Sequence, residues 1–133
     1  MSTETHKQLV INFFTQFVES DIEGLLALLD DKVVWRMMGQ QGGLPVSGDM
    51  DKEGITGLMK SVRELVSGPL NMYPRAWTID GNRVAVEVES SAVLNNGRTY
   101  NNLYHYLFII SNDKIEMIKE YADTDQVRRV FLD

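Results

Sequence analysis

The chain has 133 residues, room for one domain, and its 44% hydrophobic and 24% charged residues argue against global disorder. A balance of 13 basic against 19 acidic side chains gives a net charge of −6, which repels phosphate backbones and disfavours a nucleic-acid partner. No cysteine is present, so thiolate catalysis, disulfides and Cys-ligated zinc are excluded, and two histidines are too few for most zinc sites.

In chain order, the first third reads as helix. Leu9, Phe13 and Phe17 recur every fourth residue beside Val10, Phe14 and Val18, a broad apolar stripe of helical period. Ser20 and Glu23 form an S-x-x-E capping box, which predicts a second helix with Ile22, Leu25, Leu26 and Leu29 on its apolar face. Lys32 to Met38 holds Val33, Val34 and Trp35 and favours a strand. Gly39 to Asp49 reads as a glycine-rich loop. It lacks the lysine of a phosphate loop and suits a flexible lid. Ile55, Leu58, Met59, Val62, Leu65 and Val66 give a third amphipathic helix, stopped at Gly68-Pro69.

The second half changes period. Turn signals at Asp80-Gly81, Asn95-Asn96-Gly97 and Ser111-Asn112-Asp113 separate four strands, about 71–79, 83–94, 99–110 and 114–122. Thr124 suits the cap of a short last helix carrying Val127, Val130 and Phe131. Helices followed by an antiparallel meander predict an α+β fold, with helices on one face of a curved sheet. Val84, Val86 and Val88 share a strand face that either a partner subunit or a helix must cover, and a homodimer through the open sheet face is expected. The opening residues show no basic stretch before an apolar run, and no apolar run approaches a membrane span. A cytoplasmic location without a membrane partner is expected.

Strand parity then sorts the polar residues. Glu87, Glu89 and Ser91 lie opposite the valines. They form either a solvent-facing row or an acidic pocket wall. Tyr100, Asn102, Tyr104, Tyr106 and Phe108 share the next strand's face, either as core or as a pocket lining whose hydroxyls reach a ligand. On the last strand Ile118, Glu120 and Ala122 share a face. Glu120 is either a buried acid or the partner of an arginine such as Arg36. Met37, Met38, Met50, Met59 and Met72 fall near the expected pocket mouth, where methionine adapts to irregular ligands or simply fills core.

The order helix, helix, strand, long loop, helix, then a four-strand meander resembles the nuclear-transport-factor-2-like superfamily, and the stretch Asn96-Gly97-Arg98-Thr99-Tyr100-Asn101-Asn102-Leu103-Tyr104, with Asp113-Lys114-Ile115 and Glu120-Tyr121-Ala122-Asp123-Thr124, carries a finer likeness. Within it the chain is similar to the SnoaL-like, ketosteroid-isomerase-related group. The Trp35 strand end and Gly48 before the third helix fit as well. The resemblance implies a cone, a curved sheet around N-terminal helices with a blind apolar pocket. It implies a small apolar ligand; no cofactor is expected, and no metal, because no histidine falls on the proposed pocket face and His105 points the other way. The superfamily includes isomerases, cyclases, an epoxide hydrolase, dehydratases and non-enzymatic binding modules, so fold alone licenses no reaction.

Carried over residue by residue, the epoxide hydrolase's Asp-Arg-Asp set falls on Glu89, Glu87 and Glu120, so its arginine is lost. Its apolar pocket positions fall on Ser91, Asn102, Tyr104, Ile118 and Ala122. The steroid isomerase's base falls on Arg36 and its tyrosine on Phe13, so that constellation is absent. The expected catalytic set is therefore Glu89, Glu120, Glu87 and Tyr104. The expected ligand-binding set is Trp35, Arg36, Asn102, Tyr106, Ser91, Ile118 and Met59. Proton transfer on a small carbonyl compound is the expected chemistry, and a non-catalytic binding dimer is the alternative.

Overall fold

The structure, a computed structural model, describes residues 2–39 and 48–133, so most of the expected glycine-rich lid lies outside the described residues. Helix α1 (Thr3–Val18) starts at Ser2, whose Oγ accepts the Thr5 N–H at 3.1 Å. Its apolar stripe is inside as predicted, with Val10, Phe13 and Phe14 buried and Leu9, Phe17 and Val18 packed around them. Helix α2 (Ile22–Leu26) is capped by Asp21, which accepts the Gly24 N–H at 2.9 Å, and not by Ser20. Ser20 sits at φ 59° at the end of α1, a left-handed residue that cannot also serve as the extended N-cap. Leu29 has already left the helix and opens strand β1 (Leu29–Met37), which pairs with the short β2 (Gly48–Met50).

Helix α3 (Lys52–Leu65) is capped by Asp51 and ends earlier than Gly68-Pro69 suggests. Val66 is worth more in a sheet, where it is buried opposite Leu94, than in a final helical turn. The glycine and proline instead lie within β3 (Val66–Asp80), at a register shift between Ser67 and Asn71 where Gly68 takes φ 80°. Strands β4 (Arg83–Leu94) and β7 (Lys114–Ala122) match their predicted spans. The predicted strand 99–110 is split into β5 (Thr99–Tyr100) and β6 (Leu103–Ser111). The tight turn into β7 has both Asn112 and Asp113 at positive φ, a conformation these side chains tolerate. Helix α4 (Thr124–Val127) is capped by Asp123, not Thr124, and runs into a wider helical turn over Arg128–Leu132.

The sheet order is β2-β1-β7-β6-β4-β3, with β5 beside β4. Only the β1–β7 pairing is parallel among those described; the rest are antiparallel. This is the expected α+β architecture, N-terminal helices against a curved sheet. The core sits between them. Phe13 meets Phe14, Trp35 and Phe108 edge-on at 5.2–5.4 Å, and Tyr104, Tyr106 and Phe108 stack along β6.

Register decides which side of β4 is inside. Directly opposed residues share a face, and Val84, Val86 and Val88 stand opposite Phe108, Tyr106 and Tyr104. The valines therefore face the helices and are buried without a partner subunit. Glu87 and Glu89 stand opposite His105 and Leu103 on the outer face, and Ser91 follows them there by parity. The expected inward placement of these three residues is corrected. Burying the valines gains roughly 1.5–3 kcal/mol each, whereas burying unpaired carboxylates costs several.

Candidate functional site

A cavity of about 310 Å³ opens between the inner face of the sheet, the end of α3 and the C-terminal segment. Its walls are mostly apolar or aromatic, with Phe17, Met37, Leu58, Met72, Val127 and Phe131 among them. Glu120 is the one ionisable carboxyl that lines it among the described residues, and no Lys, Arg or His lines it. Residues 40–47 contain no charged side chain either.

Parallel pairing of β1 with β7 sets Trp35 beside Ile118 and Met37 beside Glu120, while β6 sets Tyr106 opposite Glu120. Glu120 consequently receives two hydrogen bonds on one oxygen. Trp35 Nε1–H donates to Oε1 at 3.2 Å and the Tyr106 hydroxyl donates to the same atom at 3.0 Å. Oε2 has no partner among the described residues. Burial pushes the carboxyl up to about 7, and the two donated bonds oppose that rise only in part. Glu120 keeps some accessible surface because it borders the hollow, yet protein encloses it on every other side. Since two donors pin Oε1 as an acceptor, a bound proton resides on Oε2. One atom can thus give or take a proton near neutral pH.

A second polar chain ends at the cavity. Asn102 Nδ2–H donates to the Tyr100 hydroxyl at 2.9 Å, which lies 2.8 Å from the Tyr104 hydroxyl. If Tyr100 gives its proton to Tyr104, the Tyr104 O–H is released toward the hollow. Desolvation raises Tyr100 to about 12 and holds Tyr104 and Tyr106 well above the usual phenol range, so all three remain donors at neutral pH. Tyr104 is diagonal to Glu120 across the β6–β7 pairing, a backbone separation of roughly 7–8 Å. A small molecule can bridge that span.

Residues 10–118 match the SnoaL-like domain family. The chain belongs to that family. An NTF2-like protein from Burkholderia xenovorans LB400 has the same fold at 25% identity, with 98% of each chain covered and a TM-score of 0.80. An NTF2-like protein from Burkholderia pseudomallei K96243 superposes over the full length of both chains at 19% identity, TM-score 0.84. TerC, co-crystallized with polyporic acid, matches over 95% of this chain and 97% of its own at 20% identity, TM-score 0.81. Among proteins with curated descriptions, none matches.

The SnoaL-like fold gathers only part of the expected site. Glu120, Tyr104, Tyr106 and Trp35 line the cavity together. Glu89 instead bonds Asn101 and Arg75 on the outer face, and these bonds hold its carboxyl below the ordinary range. Glu87 is exposed there too. Arg36 pairs with Asp49 through two hydrogen bonds on the surface, so it neutralises no cavity acid. With Glu87 and Glu89 outside, the hydrolase-type set is not assembled. Ser91 faces outward, and Ile118 is buried in the core and does not line the cavity. Met59 is buried and borders a separate, smaller hollow.

Asn102 is buried but fully committed. Its Nδ2 donates to the Tyr100 hydroxyl and to the Asp123 carbonyl, and its Oδ1 accepts the Leu103 and Asp123 N–H groups. It has no capacity left for a ligand and acts as a brace at the β5–β6 break.

Sequence reasoning passed over the C-terminal wall. Thr124, Val127, Phe131 and Leu132 border the cavity. The Arg98 guanidinium holds that segment by donating to the carbonyls of Arg129, Val130 and Asp133. The apolar spacing of Val127, Val130 and Phe131 signalled a packed helix. What it packs against depends on the Arg98 contact, which no local pattern encodes.

Proposed function

We propose that this SnoaL-like protein binds a small, largely apolar carbonyl compound and moves a proton on it, with Glu120 as acid and base. The observation that carries this reading is a carboxyl with one free oxygen, Oε2, in an apolar hollow that offers it no cation. Ionised Oε2 takes a proton from the carbon beside the carbonyl. The Tyr104 hydroxyl donates to the carbonyl oxygen as it gains charge. Oε2 then returns the proton to the same or a conjugated carbon. TerC's co-crystallization with polyporic acid supports a small-molecule reading of this fold.

Hydrogen–deuterium exchange of 2-decalone in D2O, followed by NMR, tests the chemistry. The protein is expected to catalyse exchange at the carbons beside the carbonyl. Glu120→Gln should lose at least about a hundredfold of that rate and Tyr104→Phe a smaller part. Glu89→Gln, on the outer face, should leave it unchanged. Equal exchange by the parent and Glu120→Gln would remove the proposal and leave a binding protein.

We further propose that the outer face of the sheet joins two copies of the chain. The large apolar side chains left exposed among the described residues fall in two places. Leu65 and Leu132 rim the cavity mouth, while Tyr73, Val93, Leu103 and Tyr121 all lie on the outer face, with Leu103 69% exposed. Glu87 and Glu89 share that face with Arg75, Arg83 and Lys119, so a two-fold contact can match opposite charges. Sedimentation should show a dimer that Leu103→Asp converts to monomer. A monomeric parent would refute this.

A further inference from the structure

Beside the main cavity lies a second hollow of about 260 Å³. Phe17, Val62 and Leu70 line both, so the two hollows adjoin along a shared boundary. The floor of the second hollow is apolar and buried, with Met59, Val66 and Leu70. Its rim carries Arg63, Gly68 and Pro69, all exposed, and the half-buried Ser20.

Arg63 stands out among the rim residues. Its Nε donates to Ser20 Oγ at 3.0 Å and its Nη2 to the Ser20 carbonyl at 2.8 Å. Those two bonds fix the guanidinium plane over the hollow. Nη1 has no partner among the described residues. No carboxylate among them lies within 4 Å of the guanidinium. Residues 40–47 hold no acid to supply one. An oriented, uncompensated arginine above an apolar trough is suited to a planar anion carried on an apolar chain.

We propose that the second hollow is a subsite for the carboxylate end of an elongated ligand whose apolar body fills the main cavity. The charge distribution fixes the direction. Glu120 at the floor of the main cavity repels an anion, and Arg63 at the rim of the second hollow attracts one. The inference rests on the main cavity being a ligand site, but not on Glu120 transferring protons.

Calorimetric titration with sodium octanoate and with 1-octanol tests it. Octanoate should bind the parent at least tenfold more tightly than Arg63→Gln, while 1-octanol should bind both alike. Arg63→Lys should recover part of the octanoate affinity, and Val62→Trp, which crowds the boundary the two hollows share, should weaken octanoate binding. Because Arg63 also braces Ser20, melting curves accompany each variant. A brace alone would lower stability without separating octanoate from octanol. Equal octanoate binding by the parent and Arg63→Gln, or none to the parent, overturns the subsite. Octanoate binding that persists in Glu120→Gln, together with failed deuterium exchange, would sink the proton-transfer reading while leaving the subsite in place.

Discussion

Glu120→Gln is expected to be more stable than the parent protein at pH 8 and indistinguishable from it near pH 4. The sign follows from linkage. Burial raises the Glu120 carboxyl from 4.5 to about 7 in the folded protein, so the folded state binds the proton more tightly than the unfolded chain. Below the unfolded value both states are protonated and nothing is lost. Between about 4.5 and 7 the unfolded chain ionises first and stability falls; above about 7 the penalty is complete. A rise of this size corresponds to at most about 3 kcal/mol, less where solvent in the cavity reaches Oε2. Glutamine keeps a carbonyl oxygen to accept from Trp35 and Tyr106 but carries no charge. At roughly 3–5 °C per kcal/mol for a chain of this size, the variant should melt up to about 15 °C higher at pH 8. Melting curves of both proteins from pH 4 to 8 isolate this residue, because every other titrating group is common to the two. Parallel curves at all pH values would show that Glu120 is ionised and compensated in the fold. Gained stability with lost exchange activity would be the mark of an acid held in a costly place for its chemistry.

The second large effect is expected at Asn102. Asn102→Leu keeps the volume and deletes four hydrogen bonds. The Asp123 N–H and carbonyl and the Leu103 N–H lose their partner in a part-buried setting. Unsatisfied buried groups cost about 1–3 kcal/mol each, so a loss of at least about 3 kcal/mol is expected in urea unfolding. Asp123 also caps α4, so the segment that walls the cavity should loosen with it. Asn102→Asp keeps the acceptor and removes the donor to Tyr100, and should destabilise through a buried charge. A loss under about 1 kcal/mol for Asn102→Leu would return Asn102 to the role of a ligand contact.

Periodicity made much of this protein legible before any coordinates. The four-residue spacing of Leu9, Phe13 and Phe17 announced α1, and turn chemistry at Asn95-Asn96-Gly97 and Asn112-Asp113 placed the ends of the strands. Where several residues competed for one local role, the sequence was less decisive. Ser20 and Asp21 both suit a cap, and the left-handed end of α1 claimed the serine. Asn101-Asn102 looked like continuous strand until Asn102 was seen to bond Asp123 across the sheet. Parity on β4 left Glu87 and Glu89 either facing solvent or walling a pocket, and carry-over from the hydrolase sent them inward. The register Val86↔Tyr106 and Glu87↔His105 sends them out.

By itself, then, the sequence determined the order of elements, the class of fold and the separation of each strand into two faces, because these depend on neighbours a few residues apart. Tertiary structure alone decided which face was interior, that one carboxylate and not three reached the cavity, and that Arg98 would close its wall. Each of those outcomes compares desolvation with pairing between groups distant in the chain, and that comparison exists only once the strands have met.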